Sequence, residues 1–128
     1  MDRIPPLPVK PLLWVGPSKD ELMDFPEPVV RDMGFALHEA QTGEKADNAK
    51  PLRGFGGAGV LEVVEDYDGD TYRAVYTVKL AGAVYVLHCF QKKSKKGSET
   101  PKQTTDLIKQ RLRLAIETYE ARKRSKEP

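Results

Sequence analysis

The alternation of apolar and polar positions predicts the first elements of the chain. An apolar run at residues 12–15, closed by Gly16-Pro17, predicts a short strand. Ser18 and Glu21 have the spacing of a capping box, so a short helix should begin at Ser18 and stop before Pro26. A second helix should follow with Pro28 in its first turn, and Gly43 should end it. The apolar positions of this helix recur at steps of three and four: Val29, Val30, Met33, Leu37 and Ala40.

The second half of the chain predicts strands and then one long helix. Residues 44–59 are rich in Lys, Asp, Asn, Pro and Gly, which indicates a loop rather than a packed element. Alternating runs at residues 60–65, 71–80 and 83–91 are joined by short glycine-containing turns, so they predict an antiparallel meander. A helix is expected over residues 101–124, with Thr100 as N-cap and Pro101 at its first position. Its buried stripe should be Ile108, Leu112, Ala115, Ile116 and Tyr119.

The order β-α-α-β-β-β-α predicts an α+β fold. We expect a small antiparallel sheet, with the two N-terminal helices packed on one face and a C-terminal helix, while the other face stays open. A chain of 128 residues is sufficient for one core. We therefore expect a proline-rich extended arm over residues 1–10, a single domain over residues 11–124 and a short tail over residues 125–128.

Charge is distributed unevenly, although the net charge is only +2. Residues 1–87 hold 9 Lys/Arg and 14 Asp/Glu, whereas residues 88–128 hold 12 and 5. A basic C-terminal third indicates an anionic partner, of which nucleic acid is the commonest. The sequence shows no apolar stretch of about 20 residues and no secretory signal, so we expect a cytoplasmic protein that does not contact membranes.

Several kinds of site are disfavoured by the residues. Cys89 is the single cysteine and lies in an apolar run, so a buried thiol is expected; a nucleophile would want His88 as its base, but neighbours in a strand point to opposite faces. His38 and His88 are fifty residues apart with no acidic cluster, so neither a metal site nor a cofactor is predicted. The glycine-rich residues 54–59 lack a following Gly-Lys-Ser/Thr and predict a tight turn instead of a phosphate loop.

The last predicted strand and its lysines carry the most information about function. Without a bulge, alternation puts His88, Phe90 and Lys92 on the same face as Val84 and Val86. On the preceding strand, Arg73 shares a face with Val75, Thr77 and Lys79. The lysines that end this region are Lys92, Lys93, Lys95 and Lys96.

These segments also resemble a known family. Residues 68–76, Asp-Gly-Asp-Thr-Tyr-Arg-Ala-Val-Tyr, residues 84–94, Val-Tyr-Val-Leu-His-Cys-Phe-Gln-Lys-Lys-Ser, and residues 100–103, Thr-Pro-Lys-Gln, closely resemble the phage-related, HigB-like (Gp49-like) branch of the RelE/ParE toxins. Residues 51–54 and 59–63 are similar to the loop and first hairpin strand of that family. The chain departs at Glu62-Val63-Val64, where members often have Glu-Leu-Arg, so one cationic side chain is missing.

The resemblance implies a function and partners. Most studied members are endonucleases that cut mRNA, often on the ribosome, and a minority poison DNA gyrase. The family implies a helix-turn-helix antitoxin that binds the toxin in a hetero-oligomer. Two alternatives to the endonuclease stay open: a ParE-like gyrase inhibitor, and a non-catalytic module that binds RNA or the antitoxin.

Roles follow for particular residues if the chain cuts RNA without a metal. Arg73 is the first catalytic candidate, to stabilise the charge on the phosphoryl group, and Lys92 and Lys93 would bind backbone phosphates or help to shift proton affinities. His88 is either the acid or base or a buried histidine bonded to backbone. Tyr76 and Tyr85 are secondary candidates, whose alternative role is that of core aromatics. Phe90 either stacks on a base or packs in the core. The residues expected to bind RNA are Lys50, Arg53, Phe90, Lys95 and Lys96.

Overall fold

The computed structural model describes residues 9–57, 59–92 and 100–125. Its elements are, in chain order, β1 (Leu12–Trp14), α1 (Ser18–Met23), α2 (Glu27–Gln41), β2 (Ala49–Pro51), β3 (Val60–Tyr67), β4 (Asp70–Thr77), β5 (Val84–Lys92) and α3 (Lys102–Ser125). The predicted α+β fold and its element order are confirmed, with β2 as an addition. Most of the predicted arm, residues 1–10, and of the predicted tail, residues 125–128, lies outside the described residues; Ser125 itself ends α3.

The sheet is mixed, in the order β1-β5-β4-β3-β2. The meander β3-β4-β5 is antiparallel as predicted, whereas β1 pairs with β5 in parallel, a pairing that the predicted antiparallel sheet did not include. Two helices separate β1 from the meander, and such a long connection allows the chain to return to a parallel edge. β2 was missed because three residues that include a lysine and a proline give no strand pattern; proline is tolerated at this edge position.

The turn between β3 and β4 is formed by Asp68 and Gly69. Both residues have positive φ, 52° and 84°, as the two central positions of a type I′ hairpin turn require. Asp-Gly is the sequence that such a turn favours, so the register of this hairpin could be predicted locally.

Helices cover both faces of the sheet. Met33 and Leu37 of α2 pack with Val63, Tyr76 and the other residues of a first core on one face. Ile108 and Ala115 of α3 pack with residues of a second core on the opposite face: Val60, Val75, Tyr85 and Leu87. The expectation that this second face stays open was therefore wrong where α3 lies on it.

The buried stripe of α3 differs from the predicted one at two positions. Ile108 and Ala115 are buried as expected, and Leu112 and Tyr119 are half-buried against the second core. Ile116 was placed wrongly, because it is 41% exposed. Arg111, which was not predicted to be buried, occupies the buried side of α3 in place of Ile116.

A bulge at Leu87 changes the faces of β5. Val75 of β4 is opposite His88, whereas Tyr76 is opposite Val86, so Leu87 is an extra residue in the ladder. His88 and Phe90 consequently lie on the α3 face with Arg73 and Val75, and not on the face of Val84 and Val86 as unbroken alternation predicts.

The predicted capping box at the start of α1 is absent. Pro17 occupies the N-cap position and no side chain caps the helix. The buried Ser18 hydroxyl donates to the Val86 carbonyl at 3.1 Å. The carboxylate of Glu21 binds groups on β5 and α3 instead, since tertiary partners offer it stronger hydrogen bonds than the local amide.

Candidate functional site

A cavity of about 470 Å³ lies beside β2 and the start of α3. Two residues predicted to bind RNA line it: Lys50 on β2 and Arg53 in the glycine-rich loop. Glu62 of β3 supplies the carboxylate of the wall, and the remaining lining residues are Pro51, Leu52, Gly54, Thr100 and Thr105. The cavity therefore combines two exposed cations with one buried carboxylate.

The carboxylate of Glu62 accepts hydrogen bonds from the guanidinium group of Arg73. Nη1 of Arg73 donates to both carboxylate oxygens, at 2.9 and 2.8 Å, and the two residues are only 3% and 4% exposed. Nζ of Lys50 lies 3.8 Å from the same carboxylate, with 56% of its side chain exposed. The group formed by Glu62, Arg73 and Lys50 thus contains one negative and two positive charges, and its net charge is positive.

Arg73, the first candidate for charge stabilisation, lies beneath the cavity wall and is not one of the lining residues. Its cross-strand neighbours are Val64 on β3 and Phe90 on β5. Its Nε is buried and has no hydrogen-bond acceptor among the residues that the structure describes.

His88 belongs to a second polar cluster, which joins three elements. Glu21 of α1 contacts His88 Nδ1 at 2.9 Å and accepts from the Cys89 amide at 3.2 Å. Arg111 of α3 donates to both oxygens of Glu21, at 2.8 and 3.0 Å, and to the Leu87 carbonyl at 3.0 Å. The cluster closes the edge of β5 beyond the end of β1.

Burial and the charges of the cluster shift the pKa values of His88 and Glu21. Burial, and after it the charge of Arg111, lowers the pKa of His88 despite the opposing pull of Glu21, so the imidazole is neutral at pH 7. Burial alone raises the pKa of Glu21, but hydrogen bonds from Arg111, His88 and the Cys89 amide outweigh it and the pKa is lowered. Glu21 is therefore a carboxylate and the cluster has a stable charge pattern near neutral pH.

The bulge brings further predicted residues towards Arg73. Phe90 is directly opposite Arg73, is half-buried and stacks on His88, with ring centroids 4.9 Å apart and planes at 17°. Lys92, the last residue of β5, is half-buried opposite Thr71. Three further candidates, Lys93, Lys95 and Lys96, lie outside the described residues.

The glycine-rich loop is held against α3 beside the cavity. Phe55 packs against the second core, and Lys109 of α3 lies over its ring with Nζ 5.9 Å from the centroid. Gly54, Gly56 and Gly57 of this loop all have positive φ, which explains why the segment is glycine-rich.

Sequence reasoning missed Glu62 and Arg111. Each carries a charge at a position where the local pattern is apolar: Glu62 within the strand run of β3, and Arg111 on the buried stripe of α3. A charge at such a position needs a buried partner, and this was the available signal.

No helix among the described residues is long and apolar enough to cross a membrane. Within the same residues, no three His, Cys, Asp or Glu side chains are grouped so that they could bind a metal ion.

Comparison with known proteins gives a family match. The model of a family described as phage-derived protein Gp49-like (DUF891) matches residues 20–113, which is most of the chain. No curated protein matches. One solved structure that resembles the chain is the toxin-antitoxin complex RelBE2 from Mycobacterium tuberculosis, with a TM-score of 0.46 and 17% identity over 67% of this chain and 94% of the matched chain.

Proposed function

Because the chain belongs to the phage-derived Gp49-like family, a branch of the RelE/ParE toxin superfamily, we propose that it is the toxin of a toxin-antitoxin pair and that it acts by cutting mRNA. Cleavage uses no metal and takes place on message held in the ribosome. A helix-turn-helix antitoxin binds the toxin in a hetero-oligomer and silences it.

The cavity beside β2 is the observation that supports this proposal most. Lys50 and Arg53 line a concave site of about 470 Å³, and the Glu62–Arg73 pair lies in and behind its wall. Cations around a cleft of this size suit a nucleotide with its phosphate. The half-buried Lys92 and Phe90 lie on the same side of the sheet as Arg73, and in this proposal the RNA strand runs from the cavity towards them.

The proposed chemistry is transfer of the phosphoryl group to the neighbouring ribose oxygen. The 2′-hydroxyl loses its proton and its oxygen bonds to phosphorus, the bond from phosphorus to the 5′-oxygen breaks, and that oxygen takes up a proton. The products are a 2′,3′-cyclic phosphate and a 5′-hydroxyl. Charge on the pentacoordinate phosphorus is stabilised by Arg73, while Lys50, Arg53, Lys92 and Lys93 bind phosphate oxygens and Lys95 and Lys96 extend the contact.

His88 is the proposed proton acceptor. Its lowered pKa keeps the imidazole neutral at pH 7, as a base must be. When Nδ1–H donates to Glu21 at 2.9 Å, the lone pair lies on Nε2; Glu21 then stabilises the imidazolium that forms, against the charge of Arg111, whose Nη1 lies 3.1 Å from the same Nδ1.

The test is induction of the wild-type chain in a bacterial host, beside Arg73→Ala and Lys92→Ala variants whose folding is checked by circular dichroism. Primer extension on early transcripts should reveal new, discrete ends with the wild type that vanish in both variants. A Glu117→Gln variant, changed on the exposed side of α3, serves as the matched control and should cut as the wild type does. Growth arrest with intact transcripts would favour a gyrase inhibitor, and no arrest would favour a non-catalytic binding module.

A further inference from the structure

Arg73 is bound by its neighbours at one nitrogen only among the residues that the structure describes. Nη1 makes both hydrogen bonds to Glu62, at 2.9 and 2.8 Å. Nε is buried without an acceptor, and the hydrogen bonds among the described residues include none from Nη2. A buried N–H without a partner costs free energy, and in a native protein it calls for an explanation such as a ligand.

The unpaired nitrogens form one edge of the guanidinium group. Nε and Nη2 present two parallel N–H donors, a fork whose spacing matches two oxygens of a phosphate. The strand neighbours on both sides of Arg73, Val64 and Phe90, have apolar side chains that cannot accept these hydrogen bonds. This edge offers donors to an anion that the described residues do not provide. Because Arg73 is only 4% exposed and does not line the cavity, the anion must displace part of the cavity wall to reach it.

We propose that Glu62 is a positioning residue for the cleavage reaction: it holds the Arg73 guanidinium by Nη1 and so keeps the Nε–Nη2 edge ready for the phosphate at which the RNA is cut. This inference rests on the proposed function. It adds a second residue and a defined pair of donor atoms to the site.

Two features of Glu62 suit this role. Both of its oxygens accept from the same nitrogen, so the guanidinium cannot rotate about its long axis without losing a hydrogen bond. Lys50, 3.8 Å away, offsets the carboxylate charge, so a phosphate that reaches Arg73 meets a group of one anion and two cations. Glu62 therefore orients the Arg73 guanidinium, and the electrostatic potential around Glu62, Arg73 and Lys50 stays positive.

A direct test follows the Nε–H group of Arg73 by NMR in 15N-labelled wild-type protein. Arg73→Lys identifies the resonance. The probes are inorganic phosphate and a single-stranded RNA with 2′-O-methyl groups at every position, which cannot be cut. We expect the Arg73 Nε–H resonance to shift with both probes. Binding of the RNA with no change in that resonance would overturn the proposal, even if the protein proves to cut RNA.

The role of Glu62 is tested by steady-state cleavage. Glu62→Gln keeps the size of the side chain but weakens its hold on Arg73, and we expect kcat to fall by about a hundredfold while KM changes by less than about threefold. Glu65→Gln is the matched control, since the same change on the same strand removes a carboxylate that bonds Asn48 and not Arg73. Equal kcat values for the two variants would refute the positioning role.

A further variant of Glu62 separates a loss of positioning from a loss of fold. Glu62→Asp keeps the negative charge but has a shorter side chain, so the guanidinium should move and kcat should fall while circular dichroism shows an intact fold. If the wild-type chain cuts nothing, the function proposed above fails, whereas a phosphate-dependent shift of the Arg73 Nε–H would still support the binding edge.

Discussion

Glu21 and Arg111, ninety residues apart in the chain, form a doubly hydrogen-bonded ion pair, with Arg111 Nη1 2.8 Å from Oε1 and Nη2 3.0 Å from Oε2. The pair fastens α1 to α3. The same carboxylate binds the Cys89 amide and His88, so β5 is attached to both helices. An isolated helix as short as α1, with six residues, is not stable in water, and these contacts, together with burial of Leu22, hold it in place.

Removing this pair should destabilise the protein. Glu21→Gln leaves the Arg111 guanidinium without its counter-charge, and we expect a loss of about 2 kcal/mol in the free energy of unfolding. Urea denaturation monitored by circular dichroism measures it. The control is Arg31→Ala, which breaks an exposed pair with Glu27 on α2 and should change stability by less than about 0.5 kcal/mol. Equal losses for the two variants would show that the Glu21–Arg111 pair contributes no more than a surface contact.

Stability should depend on pH through His88. Burial and Arg111 hold the pKa of His88 below its value of 6.5 in the unfolded chain, so the unfolded state binds more protons in acid. Stability contributed by the neutral imidazole is therefore fully present above about pH 6.5 and is lost as the pH falls towards the lower pKa of the folded state. The lowered pKa of Glu21 adds a second loss below its usual value of 4.5.

Urea midpoints at pH 7.5, 6.0 and 5.0 check this prediction. In His88→Gln, the decline between pH 7.5 and 5.0 should be smaller than in the wild type, while the loss at still lower pH remains. His38→Gln, changed at an exposed position on α2, should keep the wild-type dependence. A wild-type midpoint that does not fall between pH 7.5 and 5.0 contradicts the assignment.

Cys89 should be chemically inert in the folded protein. Burial, and after it the charge of Glu21, raises the pKa of its thiol to about 12, so almost no thiolate is present at pH 8. We expect a disulfide reagent such as DTNB to react with Cys89 only after denaturation. Cys89→Ala should keep the cleavage activity proposed above, because a buried thiol is not a nucleophile. Rapid reaction of DTNB with the native protein would contradict the prediction that the Cys89 thiol is inert.

Most of the fold could be predicted because the periods of β3, β4 and α2 are strong and the Asp68-Gly69 turn has a clear local signature. The errors occurred where long-range contacts override the pattern. β1 pairs in parallel with β5, a strand 72 residues further along the chain, and nothing near residues 12–14 specifies that partner. The bulge at Leu87 left no local mark, yet it moved His88 and Phe90 to the opposite face.

The site could be predicted in part. Basic residues and the family resemblance pointed to Lys50, Arg53 and Arg73, and the cavity lies beside the first two. Their carboxylate partner was missed because an isolated glutamate in a strand is usually a solvated residue. Glu62 becomes informative once the register of β3 and β4 brings it within reach of Arg73, and a register is a property of two segments rather than one.

Binding of RNA should depend on Lys50 in a way that identifies a phosphate contact. Lys50 is exposed at the cavity, so Lys50→Gln should leave the fold intact and weaken binding of uncleavable 2′-O-methyl RNA to a similar degree for every base sequence. Removing one phosphate contact lowers the slope of log affinity against log salt by about 0.7 for a single strand. Fluorescence anisotropy at several salt concentrations measures both effects.

Lys19→Gln on α1, an exposed lysine that does not line the cavity, should bind as the wild type does. If Lys19→Gln and Lys50→Gln reduce the salt slope equally, binding reflects the overall charge of the protein. If the loss of RNA affinity in Lys50→Gln depends on base sequence, Lys50 contacts a base. Either result would remove Lys50 from the phosphate path and with it the main cation of the proposed site.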